Sequence, residues 1–147
     1  MAPLIVFVLV TALARIAGSV DVAWLDSWPH SLTVGLAAMF LLTSTAHFIE
    51  PRRSGLVAIV PFQQPSPSLA VTVTGVLEVA GAIGLLVPDT RRIAAACLAA
   101  LLVAMFPANV YAARGRRHPN APSTPLPLRT AMQLLWLAAA VVVAVVE

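Results

Sequence analysis

The sequence predicts an all-α fold, a polytopic bundle of membrane-spanning helices, and three observations predict it. Of 147 residues, 60% are apolar and 10% are charged, against about 45–50% and about 25% in an ordinary soluble domain. A soluble fold of this size still exposes close to a third of its chain's area to water, too much for such a composition. The apolar residues fall into five runs of the length a bilayer span requires, about 17–25 residues. All nine basic residues are arginines, and eight of them sit in or beside the gaps between those runs. The same composition excludes a disordered chain, which needs low hydrophobicity and high net charge. Cys97 is the only cysteine, which excludes a disulfide framework and a dithiol relay.

The first run, about Pro3 to Ser19, contains Arg15 and has no basic residue before Leu4. A signal peptide needs a basic n-region, so this run reads as a retained helix. The second, about Leu32 to Ile49, ends in Thr43, Ser44, His47 and Glu50; positions 43, 47 and 50 share a helix face. The third, about Leu69 to Val87, follows a proline-rich link and carries Glu78 near its midpoint. The fourth, about Ile93 to Ala113, contains Cys97, read as a buried packing residue. It also contains Asn109 and Pro107, whose ring crowds the Val103 carbonyl and removes a backbone donor. The fifth, about Thr130 to Val146, begins beside Arg129 and carries Gln133. The links are loops, because each proline disfavours helix in the residue before it. Nothing long enough for an extramembrane domain remains, so residues 1–147 read as one membrane domain.

Five spans place the N-terminus and the links around residues 50–68 and 114–129 on one side. That side holds Arg52, Arg53, Arg114, Arg116, Arg117 and Arg129, and the other holds Arg91 and Arg92, with Arg15 near it. Arginine bias marks the cytoplasmic side, so the N-terminus is expected inside and the C-terminus outside a multi-pass cell-membrane protein. A sequence pI of about 10.5 raises the question of nucleic acid. Such a module sets basic residues along a soluble element among aromatic residues, and no soluble element is present. The expected partner is the lipid bilayer, and no nucleic acid.

Glu78 is the most informative residue. A carboxylate facing lipid at mid-span costs several kcal/mol, so Glu78 must face protein or water, or carry a proton. Thr74, Gly75, Glu78, Gly81, Ala82 and Leu85 follow helical spacing, which makes one side of this helix small and polar. Gly75, Gly81 and Gly84 would let a neighbouring backbone come close. Two roles stand for Glu78: a structural group hydrogen-bonded to a neighbouring helix or paired with Arg15, or a proton or ligand site. Toward the inner ends, His47, Asn109 and Gln133 are expected in one layer with Thr43, where they could line one pocket. His30, His47 and His118 share no ligand spacing, so no metal site is expected. There is no glycine-rich phosphate loop and no nucleophile elbow.

The run from Thr74 to Arg92, TGVLEVAGAIGLLVPDTRR, resembles the signature of the DoxX family of small integral membrane proteins. There a Gly-x-x-Glu helix is followed by Gly, Leu-Leu and an arginine-bearing turn. FLLTSTAHF (Phe40 to Phe48) and MFPANV (Met105 to Val110) resemble a DoxX-like sub-branch. Gly75, Glu78, Gly81 and Arg91 or Arg92 match the shared motif. Ser44 stands where a glycine is common, and His47-Phe48 replaces a frequent Lys-Leu, so the role of that lysine does not transfer. The resemblance implies a bacterial inner-membrane protein with a four-helix core, to which the first run adds a fifth span. It also implies a link to quinone-coupled redox complexes, although fold likeness alone does not establish an activity.

Three functions follow as expectations. The first is a subunit or accessory of a quinone-linked redox system, with other membrane redox subunits as partners. Glu78 and His47 are its catalytic candidates, and Asn109, Gln133 and Thr43 its ligand contacts. The second is a non-catalytic structural subunit. The third is a small proton-coupled carrier using Glu78 at mid-membrane, with the Pro107 kink as hinge.

Overall fold

A computed structural model describes residues 1–63, 66–115 and 117–146. Its helices are α1 (Ala2–Val20), α2 (Trp28–Phe48), α3 (Arg52–Ala58), α4 (Pro67–Leu86), α5 (Arg91–Ala113) and α6 (Leu126–Val146). Five of the six, all but α3, are long and apolar enough to cross a membrane. They coincide with the five predicted runs, with α2, α4, α5 and α6 starting two to four residues earlier. Prolines explain the earlier starts of α2 and α4: Pro29 and Pro67 occupy the first turn, where a missing N–H costs nothing and the fixed φ suits a helix. The Ser27 hydroxyl also accepts the His30 N–H at 3.3 Å, capping α2.

α2 packs on α4, α4 on α5, α5 on α6, and α6 back on α2, while α1 lies against α2. Phe7, Leu36, Met39, Phe40, Leu85, Leu98, Leu102 and Val143 fill the interior. The outward positions are equally apolar: Ile5, Leu9, Val76, Ile83, Val103, Leu134 and Val145 are exposed. A helix apolar on all sides belongs in a large core or a bilayer, and these outer faces are of the kind a bilayer covers.

The two ends of the bundle differ. At one, Arg91 donates to the Leu85 carbonyl at 3.0 Å and lies 5.1 Å over the Trp24 ring. Arg15 binds the Asp26 carboxylate there and lies over Trp28. At the other end α3 folds beneath α2 and α4. The Arg53 guanidinium donates to the His47 carbonyl, to Ser68 Oγ at 2.8 Å and to Thr72 Oγ1 at 3.0 Å. Gly55 lies against the Asn120 backbone, which brings the α5–α6 link to the same end.

Three expectations are corrected. Arg15 does not pair with Glu78, because Asp26, at the same end of the bundle, captures it. Glu50 does not continue the face of Thr43 and His47: α2 stops at Phe48, and Glu50 turns to bond Ser54 of α3. Cys97 is exposed on α5 and not buried; on a helix apolar all round, composition does not say which face is inside.

Candidate functional site

The site forms where α4 crosses the last turns of α2. Gly75 makes the crossing close: a Cβ there would lie 2.5 Å from His47 Cβ and 2.8 Å from the Phe48 ring. One turn further along α4, Glu78 is 3% exposed. Its Oε2 accepts a hydrogen bond from Thr43 Oγ1 at 2.8 Å, and its Oε1 lies 3.6 Å from His47 Nε2. The other ring nitrogen, His47 Nδ1, is 2.8 Å from the Val71 carbonyl and 3.1 Å from Thr74 Oγ1. A carbonyl oxygen only accepts, so Nδ1 carries a proton. Thr74 donates its own hydroxyl to the Ala70 and Val71 carbonyls and is free to accept from Nδ1. With Nδ1–H fixed, Nε2 is the nitrogen that faces Glu78 Oε1, at 3.6 Å.

The structure thus brings together Glu78, His47 and Thr43, and adds Thr74 and the Val71 carbonyl as ring-orienting partners. Asn109 and Gln133 form a second group. Asn109 Nδ2 donates to Gln133 Oε1 at 2.9 Å, Asn109 Oδ1 accepts from Arg129 Nη1 at 3.2 Å, and Gln133 Nε2 donates to the Leu102 carbonyl at 2.8 Å. That carbonyl neighbours the Val103 carbonyl crowded by Pro107, so α6 supplies a polar side chain where the proline disturbs α5. Arg129 is 7% exposed and also donates to the Thr124 and Pro122 carbonyls.

The expected single pocket resolves into a lining and a support. A cavity of about 330 Å³ is lined by His47, Thr74, Pro107 and Asn109, with walls that include Val60, Phe62 and Met105. Gln133 stands behind Asn109 and holds it. A smaller cavity of about 190 Å³ touches His47 from its other flank, with Thr43, Ala46, Arg52 and the chain start at Ala2 and Pro3. Gly81 seats the Leu98 side chain and Gly84 the Ala94 methyl, so both serve the α4–α5 contact and not the site. Arg114 and Arg117 lie at the same end, around a third cavity, and Arg117 stacks on Tyr111 at 4.1 Å. Arg116 lies outside the described residues. His30 sits at the opposite end, stacked on Trp24. Among the described residues no group of three or more His, Cys, Asp and Glu gathers as metal ligands.

Outside the spans, the Ser54 hydroxyl and backbone N–H hold the Glu50 carboxyl below the usual carboxylate range. The sequence reading missed α3, the Arg53 clamp on the His47 carbonyl and the part of the 59–62 link in the cavity wall. A signal was present in Glu50-Pro-Arg-Arg-Ser54, where an acid sits four residues before a serine beside a proline.

Residues 36–144 match the family described as a domain of unknown function, DUF8561. The match spans about three quarters of the chain, from within α2 to the last turn of α6, and this chain belongs to that family. No curated protein and no solved structure matches it.

Proposed function

We propose that the chain binds a lipid-soluble quinone in the 330 Å³ cavity and serves as a subunit or accessory of a membrane redox system. One observation carries this reading: the buried His47, which faces Glu78, lines an apolar cavity whose other polar lining includes Thr74 and Asn109. The volume lies in the range of small-molecule sites, about 300–1,000 Å³, and such sites combine apolar walls with a few placed polar groups. A flat ring bearing two carbonyl oxygens fits that distribution. When bound, a quinone supplies a couple that takes up two electrons and two protons; its electrons would come from a partner subunit carrying a redox centre.

This chain's residues bind, orient and hold a proton. Arg129 and Gln133 fix the Asn109 amide with its oxygen toward the guanidinium, which leaves its second N–H to donate to a ligand oxygen. His47 and Glu78 hold a proton beside the cavity. The Thr74–Arg92 likeness to DoxX proteins supports the same reading. The arginine-rich end that carries α3 is proposed as the cytoplasmic end. Both cavities next to His47 are lined from that end, which suits a bound membrane ligand better than a carrier with access from both sides.

The test is decylubiquinone binding to the protein in lipid nanodiscs. Ala108 lines the cavity, and Ala108→Phe is expected to weaken binding about 10-fold or more by filling it. Ala138→Phe, at an exposed position of α6, is expected to leave it unchanged. Wild-type protein that does not bind, or Ala108→Phe that binds as wild type, overturns the reading.

A further inference from the structure

His47 lines both the 330 Å³ and the 190 Å³ cavity, and the groups around it form a connected series. Thr43 lines the small cavity and donates to Glu78 Oε2 at 2.8 Å. Glu78 Oε1 lies 3.6 Å from His47 Nε2. On the far side of the ring, Nδ1 is 3.1 Å from the hydroxyl of Thr74, which lines the large cavity. Every member can both give and take a proton. The series crosses from α2 to α4 and back, and its two ends lie in different cavities.

We propose that the small cavity is a proton inlet and that Thr43, Glu78, His47 and Thr74 form a proton wire from it to the ligand cavity. The inference rests on the quinone reading for its purpose, but its test does not. A proton from water in the small cavity adds to Thr43 Oγ1 as that hydroxyl releases its own proton to Glu78 Oε2. Glu78 starts as the acid with its proton on Oε1 and gives that proton to Nε2 as Oε2 gains the one from Thr43, and the imidazolium releases the Nδ1 proton to Thr74 Oγ1. Thr74 gives its hydroxyl proton to a basic oxygen in the large cavity. One proton enters and one leaves in each pass, and no electrons move; the pass leaves the ring as the Nε2–H tautomer and Glu78 protonated on Oε2, and a turn of the ring and of the carboxyl restores the start without drawing the delivered proton back. The 3.6 Å step exceeds hydrogen-bond length, and contacts of this kind shorten when a site is engaged.

The surroundings set the direction of supply. The charged groups facing His47 are Glu78 from α4, Arg53 from α3, bonded to the His47 carbonyl, and Arg52 in the wall of the small cavity. The small cavity ends among Ala2, Pro3 and Arg52, at the end of the bundle where the spans begin and water starts. Thr43 is the side chain that joins the small cavity to Glu78 Oε2, while the large cavity meets His47 and Thr74 on the other side of the ring.

The experiment is hydrogen–deuterium exchange at the ring nitrogens of His47, read by NMR on ¹⁵N-histidine-labelled full chain in lipid nanodiscs without added quinone. The chain has three histidines, and His30 and His118 serve as internal references. Thr43→Val keeps the shape and removes the hydroxyl; it is expected to slow His47 exchange about 10–100-fold, the scale of a lost proton-transfer group. Thr43→Ser restores the wild-type rate. Ala46→Met fills the small cavity by another route and also slows exchange. Wild-type exchange in either Thr43→Val or Ala46→Met overturns the wire. Failure of wild-type protein to bind decylubiquinone overturns the quinone reading separately, and the exchange rates still decide the wire.

Discussion

At the scale of single residues, Gly75 determines whether the site exists. Its missing Cβ lets His47 lie on α4, within reach of Glu78. Gly75→Ala must push apart two packed helices and is expected to cost about 1–3 kcal/mol. Gly115→Ala, with nothing within 4 Å, is expected to stay within about 0.5 kcal/mol. Thermal unfolding in mild detergent compares the two. A Gly75→Ala protein as stable as wild type would show that the close crossing is not needed. Glu78 was legible in the sequence because a mid-span carboxylate is costly anywhere except the interior, and the small-residue spacing around it named its face. His47 as its partner was not legible, because the register of α2 against α4 is set by packing between segments that share no local pattern. The face of Cys97 was misread for a related reason: α5 offers apolar residues in every direction.

At the scale of elements, the five long helices were readable because each requires a long apolar run, and their prolines mark the starts. α3 was not, since seven residues are too few to show a helical period against a polar link. Glu50 anchors its first turn through Ser54. The folded carboxyl sits below its ordinary range, so its contribution is present above the ordinary glutamate pKa and is lost as pH falls through the lowered one. Amide exchange in α3 is therefore expected to quicken on acidification below about pH 4, the ordinary carboxyl range, and Glu50→Gln is expected to remove that dependence. An acid-induced change that is the same in Glu50→Gln would show that another group controls α3. Because Arg53 of α3 holds the His47 carbonyl, loosening α3 reaches the site.

At the scale of the whole molecule, Arg52, Arg53, Arg114, Arg117 and Arg129 gather at the end that carries α3, and Arg15, Arg91 and Arg92 lie toward the other. An alkaline phosphatase fusion at the C-terminus is expected to be active outside the cell, as the arginine bias requires; an inactive fusion with a folded cytoplasmic reporter would reverse the orientation. The family match begins at residue 36 and leaves α1 outside, although α1 contributes Phe7 to the core and Ala2 and Pro3 to the small cavity. The pairing of a buried proton site with an apolar cavity is the central claim. Native mass spectrometry of protein extracted from its own membrane in mild detergent tests it most directly. The account predicts a quinone retained at one per chain, and lost in Ala108→Phe. Protein that carries no quinone, or an Ala108→Phe variant that retains it, would contradict the account.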